Sequence, residues 1–104
     1  MKIVTQLLSV NKGKEQDATI MFACSLTDYL EIVKNYVDEV RIKFWIEDAA
    51  KDVIIGNVVG TVTSSSGSDP YKFKIKSPGS ENIKTSQLST LCGKEIELNI
   101  DIDV

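Results

Sequence analysis

Two stretches of strict alternation constrain this chain more than any other feature. Val40-Arg41-Ile42-Lys43-Phe44-Trp45-Ile46-Glu47 sets apolar and polar residues by turns, and Ile96-Glu97-Leu98-Asn99-Ile100-Asp101-Ile102-Asp103 does so again. Period two marks a strand with one buried and one wet face. Each stretch follows a short helical pattern, and each helical pattern follows two strand-like runs. Residues 3–47 therefore read as a β-hairpin, a short helix and an amphipathic strand, and residues 54–103 read the same way. The expectation is one α+β domain over 1–104. It is mostly antiparallel sheet with two short helices, a pseudo-symmetric repeat of a ββαβ unit at about 3–47 and 54–103.

The spacing between the halves fits duplication. Gln6-Leu7-Leu8-Ser9 aligns with Asn57-Val58-Val59-Gly60 at an offset of 51, Met21 and Ala23 with Phe73 and Ile75 at 52, and Val40 to Ile46 with Ile96 to Ile102 at 56. The offset grows only in loops, which tolerate insertion. The chain has 104 residues, enough for one domain with a modest core. The charged link Glu47 to Asp52 is too short to separate the halves into independent domains.

Within the first half, Ile3 to Val10 and Ala18 to Cys24 read as strands joined through Asn11-Lys12-Gly13-Lys14. The second strand is largely apolar on both faces, which predicts cover on both sides, from a helix or another subunit. Thr27 is the expected N-cap of a helix, with Asp28 and Glu31 favourable in the first turn. Leu26, Leu30, Val33 and Val37 recur at spacings of four, three and four, and Tyr29, Ile32 and Tyr36 widen that face. The helix is expected to end near Asp38. In the second half, Val53 to Thr63 reads as a strand, Ser64 to Ser68 as a mobile hairpin loop and Tyr71 to Lys76 as its return. Ser80 is expected to cap a short helix carrying Ile83, Leu88 and Leu91, with Gly93 just past its end.

The endings Leu91-Cys92-Gly93-Lys94-Glu95-Ile96-Glu97-Leu98-Asn99-Ile100 and Tyr36-Val37-Asp38-Glu39-Val40-Arg41-Ile42-Lys43 resemble the small hairpin–helix–strand module that opens many phage-encoded recombination accessory proteins of the NinB type. Each copy covers about half the chain. Those proteins continue into a basic segment and an aromatic helical region, whereas this chain repeats the module, so no DNA-binding residue carries over. The resemblance implies a viral or mobile-element origin.

Chemistry is sparse. There is no histidine, which removes the commonest general base and transition-metal ligand. No Walker loop, GxGxxG or CxxC occurs. The expectation is a non-enzyme without cofactor or metal. Cys24 and Cys92 read as reduced, inert thiols. No apolar run reaches membrane-spanning length, and Thr5 and Gln6 interrupt any signal-like start, so a cytoplasmic protein is expected, in the host cytoplasm if viral.

Three surface stripes are candidates. Trp45 shares the polar side of its strand with Arg41 and Lys43; it reads either as an exposed tryptophan, a common binding anchor, or as one covered by a second layer such as the other half's helix. Glu97, Asp101 and Asp103, with Glu95, form an acidic stripe that could hold a cation, imitate phosphates or pair with lysines across strands. Lys72, Lys74 and Lys76 form a basic stripe, but the aromatics between them point the other way, whereas single-strand binding needs cations and stacking rings on one surface. A net charge of −3 also argues against nonspecific nucleic-acid coating. The leading expectation is a non-catalytic accessory protein that binds a protein partner, as an inhibitor of a host factor. The alternatives are a single-stranded nucleic-acid-binding recombination accessory using the lysines, and a virion or assembly subunit. Self-association, most simply as a dimer through apolar sheet surface near Met21 and Trp45, is expected as well.

Overall fold

The computed structural model describes residues 1–13, 17–37, 40–48, 50, 53–77 and 85–103, with side chains at all of these except 53, 54, 57, 85 and 86. The elements run β1 (Lys2–Lys12), β2 (Ala18–Cys24), α1 (Leu26–Asn35), β3 (Arg41–Glu47), β4 (Val53–Ser66), β5 (Tyr71–Ser77), α2 (Thr85–Ser89) and β6 (Glu95–Ile102). The strands close into a barrel in the order β1-β2-β5-β4-β3-β6, and all six neighbouring pairs are antiparallel.

Closure depends on the two long strands. β1 pairs through Lys2–Gln6 with β6 and through Gln6–Lys12 with β2. β4 pairs through Val53–Thr61 with β3 and through Thr61–Ser66 with β5. This stagger is the strand tilt that a small barrel requires. Register shifts between Leu7 and Ser9, and between Ser64 and Ser66, sharpen the bend. The alternating residues then fill the interior. Phe22 and Phe73 face each other in register and stack at 5.1 Å, with Leu7, Ile20, Phe44, Ile75 and Leu98 fully buried beside them. Each such side chain stabilises the fold by about 1.5–3 kcal/mol relative to exposure.

The helices plug the barrel ends. α1 leaves the end of β2 and returns into β3, with Ile32 fully buried, Tyr29 against Tyr71 at 5.3 Å, and the Tyr29 and Ser64 hydroxyls hydrogen-bonded. α2 spans the opposite end, from β5 to β6, and buries Leu88. Gly93, at φ 85°, turns the chain into β6 and donates its N–H to the Leu7 carbonyl at 2.7 Å.

The expected α+β arrangement of ββαβ units is corrected by this closure. The protein is mostly β, a six-strand barrel with two short helices. Neither half stands as a module: hairpin β1–β2 joins hairpin β4–β5 through β2–β5, β3 lies beside β4, and β6 inserts between β3 and β1. Alternation identifies a strand with one buried face. It is silent on whether that face is covered by a helix layer or by the far wall of a barrel.

Local details differ as well. Ser25, not Thr27, caps α1, its hydroxyl accepting from the Asp28 N–H at 3.2 Å. The helix ends at Asn35 rather than near Asp38, which itself lies outside the described residues. Its inner face is Tyr29 and Ile32, while Leu26 and Leu30 are 48% and 56% exposed. Ser64–Ser66 extend β4 instead of forming a loop. Ser80 and Ile83 lie outside the described residues.

Candidate functional site

One wall of the barrel gathers most of the candidate side chains. β6 lies between β1 and β3, and since Ile96, Leu98 and Ile100 fill the interior, its odd-numbered side chains face out. The registers set rows across the wall: Lys2, Asn99 and Trp45 in one, Val4, Glu97 and Glu47 in the next, and Asp101 opposite Lys43. Arg41 Nε meets Asp103 Oδ2 at 3.0 Å and Lys43 Nζ meets Asp103 Oδ1 at 3.7 Å. Lys2 Nζ meets Glu97 Oε2 at 3.4 Å, and the Met1 amino group meets Asp101 Oδ1 at 3.4 Å. Glu97, Asp101 and Asp103 of the acidic stripe and the Arg41/Lys43 pair, separate in the sequence, thus form one compensated ladder that leaves Glu95 out. Such exposed pairs contribute at most about 1 kcal/mol each, so their main effect is to neutralise the wall.

Trp45 is half-buried on this wall, neither core nor fully free. Beside it Asn99 is only 8% exposed, and its Nδ2 has no hydrogen-bond partner. A buried donor without an acceptor is costly, and buried polar groups are normally paired. Tyr36 closes the lower edge, donating its hydroxyl to the Ile100 carbonyl at 3.5 Å. Burial pushes its phenol above the usual range, and Asp101 and Glu31 add to that.

The basic stripe lies elsewhere. Lys72, Lys74 and Lys76 face out from β5 in rows with Ala23 and Ser66, Met21 and Thr63, and Thr19 and Thr61. Lys76 Nζ also meets Asp17 Oδ2 at 3.4 Å. None of these row neighbours is aromatic, and Phe73 is buried in the barrel. β4 separates the lysines from Trp45, although Thr61 touches both sides, opposite Lys76 and Arg41. Met21 on β2 and Trp45 on β3 stand three strands apart whichever way one goes round the ring, so no single face holds both.

A cleft of about 310 Å³ opens where β2 departs from β1, lined by Val4, Thr5, Gln6, Ala23, Ser25 and Glu95. Thr5 Oγ1 is buried there without a hydrogen-bond partner. Cys24 also lines it. Burial, followed by the Asp28 carboxylate, pushes its thiol up to about 11, so it presents a neutral, unreactive surface. Sequence reasoning passed over Val4, which is 58% exposed, because Ile3 to Val10 shows no strict alternation that would separate its two faces. It also assigned Leu26 and Leu30 to the core. The signal there was a helix with more apolar residues than one buried face needs.

No family model, curated protein or solved structure matches this chain. Among the described residues, no group of three or more His, Cys, Asp or Glu side chains is placed to hold a metal ion. No helix among them is long and apolar enough to cross a membrane.

Proposed function

We propose that this barrel is a non-catalytic accessory domain that engages a protein partner through the β1–β6–β3 wall, with Trp45 as the anchor. The observation that carries the reading is the charge compensation around Trp45: Arg41 and Lys43 are held by Asp103, and Lys2 by Glu97. A polyanion needs uncompensated cations beside the stacking ring. A protein interface instead pairs an aromatic anchor with a polar, hydrogen-bonding rim. Inhibition of a host factor is one way such an occupied surface acts. The viral or mobile-element setting rests on the module resemblance alone.

The test replaces Trp45 by a photo-crosslinking residue in cells that produce the protein. A discrete protein adduct, absent when the probe stands at exposed Asn11, is the expected result. An adduct removed by nuclease would refute the reading and favour nucleic acid at the lysine stripe.

A further inference from the structure

The barrel is closed, yet among the described residues one stretch of β1 is paired on one side only, with β6. Met1 and Ile100 exchange main-chain hydrogen bonds at 2.8 Å, and the Leu7 N–H reaches the Lys94 carbonyl at 3.1 Å. In an antiparallel ladder this phase turns the main-chain groups of Ile3 and Thr5 towards β6 and those of Lys2, Val4 and Gln6 away from it. Gln6 meets Ala23 of β2, and the β1–β2 register starts there. β2 then ends at Cys24, and Ser25 turns into α1 as its N-cap. Val4, which lines the cleft, and Lys2 before it are left with no strand on that side among the described residues. The matching place on β4 is closed, since Ser77 Oγ donates to the Val59 carbonyl at 2.7 Å two residues before β4 first pairs with β5.

We propose that the Lys2–Val4 edge is a strand-addition site, where an extended segment of the protein partner hydrogen-bonds to the main chain of Lys2 and Val4. This rests on the protein-partner reading and names its mode. Three features select the occupant. An unpaired N–H and C=O row is complementary to an extended backbone and to little else. The cleft beside it accepts one side chain, and Glu95, exposed at its rim without an ion pair among the described residues, favours a lysine or arginine there. The edge also belongs to the wall that bears Trp45: Lys2 and Trp45 flank Asn99 in one row. With strands about 4.8 Å apart, Trp45 lies roughly 10 Å from β1, within reach of the body that supplies the added strand.

The probe is a displayed library of short random peptides, selected on the full chain and followed by amide hydrogen exchange. In the free protein, the Val4 amide should exchange freely while Ile3 and Thr5 are protected. A selected peptide should protect Val4. Val4→Pro removes the outward donor and spares the β6 ladder, because proline is tolerated at strand edges and leaves the preceding residue extended. It should weaken the peptide at least tenfold, whereas Val4→Thr should bind within about twofold. A Val4 amide already protected in dilute free protein, failure to select any peptide, or a bound peptide that leaves Val4 exchanging would each overturn the proposal. Protection that grows with protein concentration alone would overturn it too, by making a second copy the occupant. A protein adduct at position 45 with Val4 still exchanging would reject the edge and keep the protein-partner reading.

Discussion

Replacing Ile32 by alanine and Leu30 by alanine, one at a time, separates the two faces of α1. Ile32 is fully buried in the barrel end, and Leu30 is 56% exposed. Truncating a buried isoleucine removes its transfer energy and leaves a cavity, about 2–5 kcal/mol in comparable cores. Leu30 retains under half of the roughly 1.5–3 kcal/mol that full burial supplies, and alanine returns a few tenths through helix propensity. Its loss should therefore be about 1 kcal/mol or less. In urea, with a slope of about 1–3 kcal/mol/M, Ile32→Ala should lower the midpoint by roughly 1–2 M at unchanged slope, and Leu30→Ala by a few tenths. A loss from Leu30→Ala as large as that from Ile32→Ala would mean that Leu30 is buried too, and a reversed order would mean that α1 lies the other way round on the barrel.

Trp45→Ala should weaken partner binding by about 2 kcal/mol, roughly thirtyfold in Kd, while costing less stability than the about 3–5 kcal/mol of a core aromatic; calorimetry and melting measure the two losses separately. At pH 8, iodoacetamide should modify exposed Cys92 first, and Cys24, its thiol pushed up to about 11 from 9.0, should carry about a hundredfold less thiolate than an unshifted cysteine. Mass spectrometry reads the order. Because the raised value belongs to the folded state, Cys24 contributes stability below pH 9 that is lost as pH climbs towards 11, and Cys24→Ser should flatten the stability profile over that range. Gly60→Ala should destabilise the barrel by about 1–3 kcal/mol, since the added carbon would sit 2.7 Å from the Lys76 main-chain oxygen; a neutral melt would show that β4 and β5 separate easily.

By itself, the sequence determined the local structure and most of the inventory of the site. Alternation placed Tyr71 to Lys76 and the strand ending at Glu47 almost to the residue, because period two is a property of the chain alone. It also put Trp45 on the same strand face as Arg41 and Lys43, and Glu97 with Asp101 and Asp103. Only tertiary structure decided what those faces meet. Inserting β6 between β1 and β3 pairs Arg41 with Asp103, across sixty-two residues of chain, and so turns two opposite stripes into one neutral wall. Curvature and closure come from the stagger of β1 and β4, which no short window records. The choice of Ile32 over Leu30 as the buried residue comes from how α1 lies across the barrel mouth, because either stripe satisfies a helical period. The open edge at Val4 has the same origin: the β1–β2 pairing stops at Gln6 and Ala23, two residues before Val4, and a strand's partner is set by the fold around it rather than by its own residues.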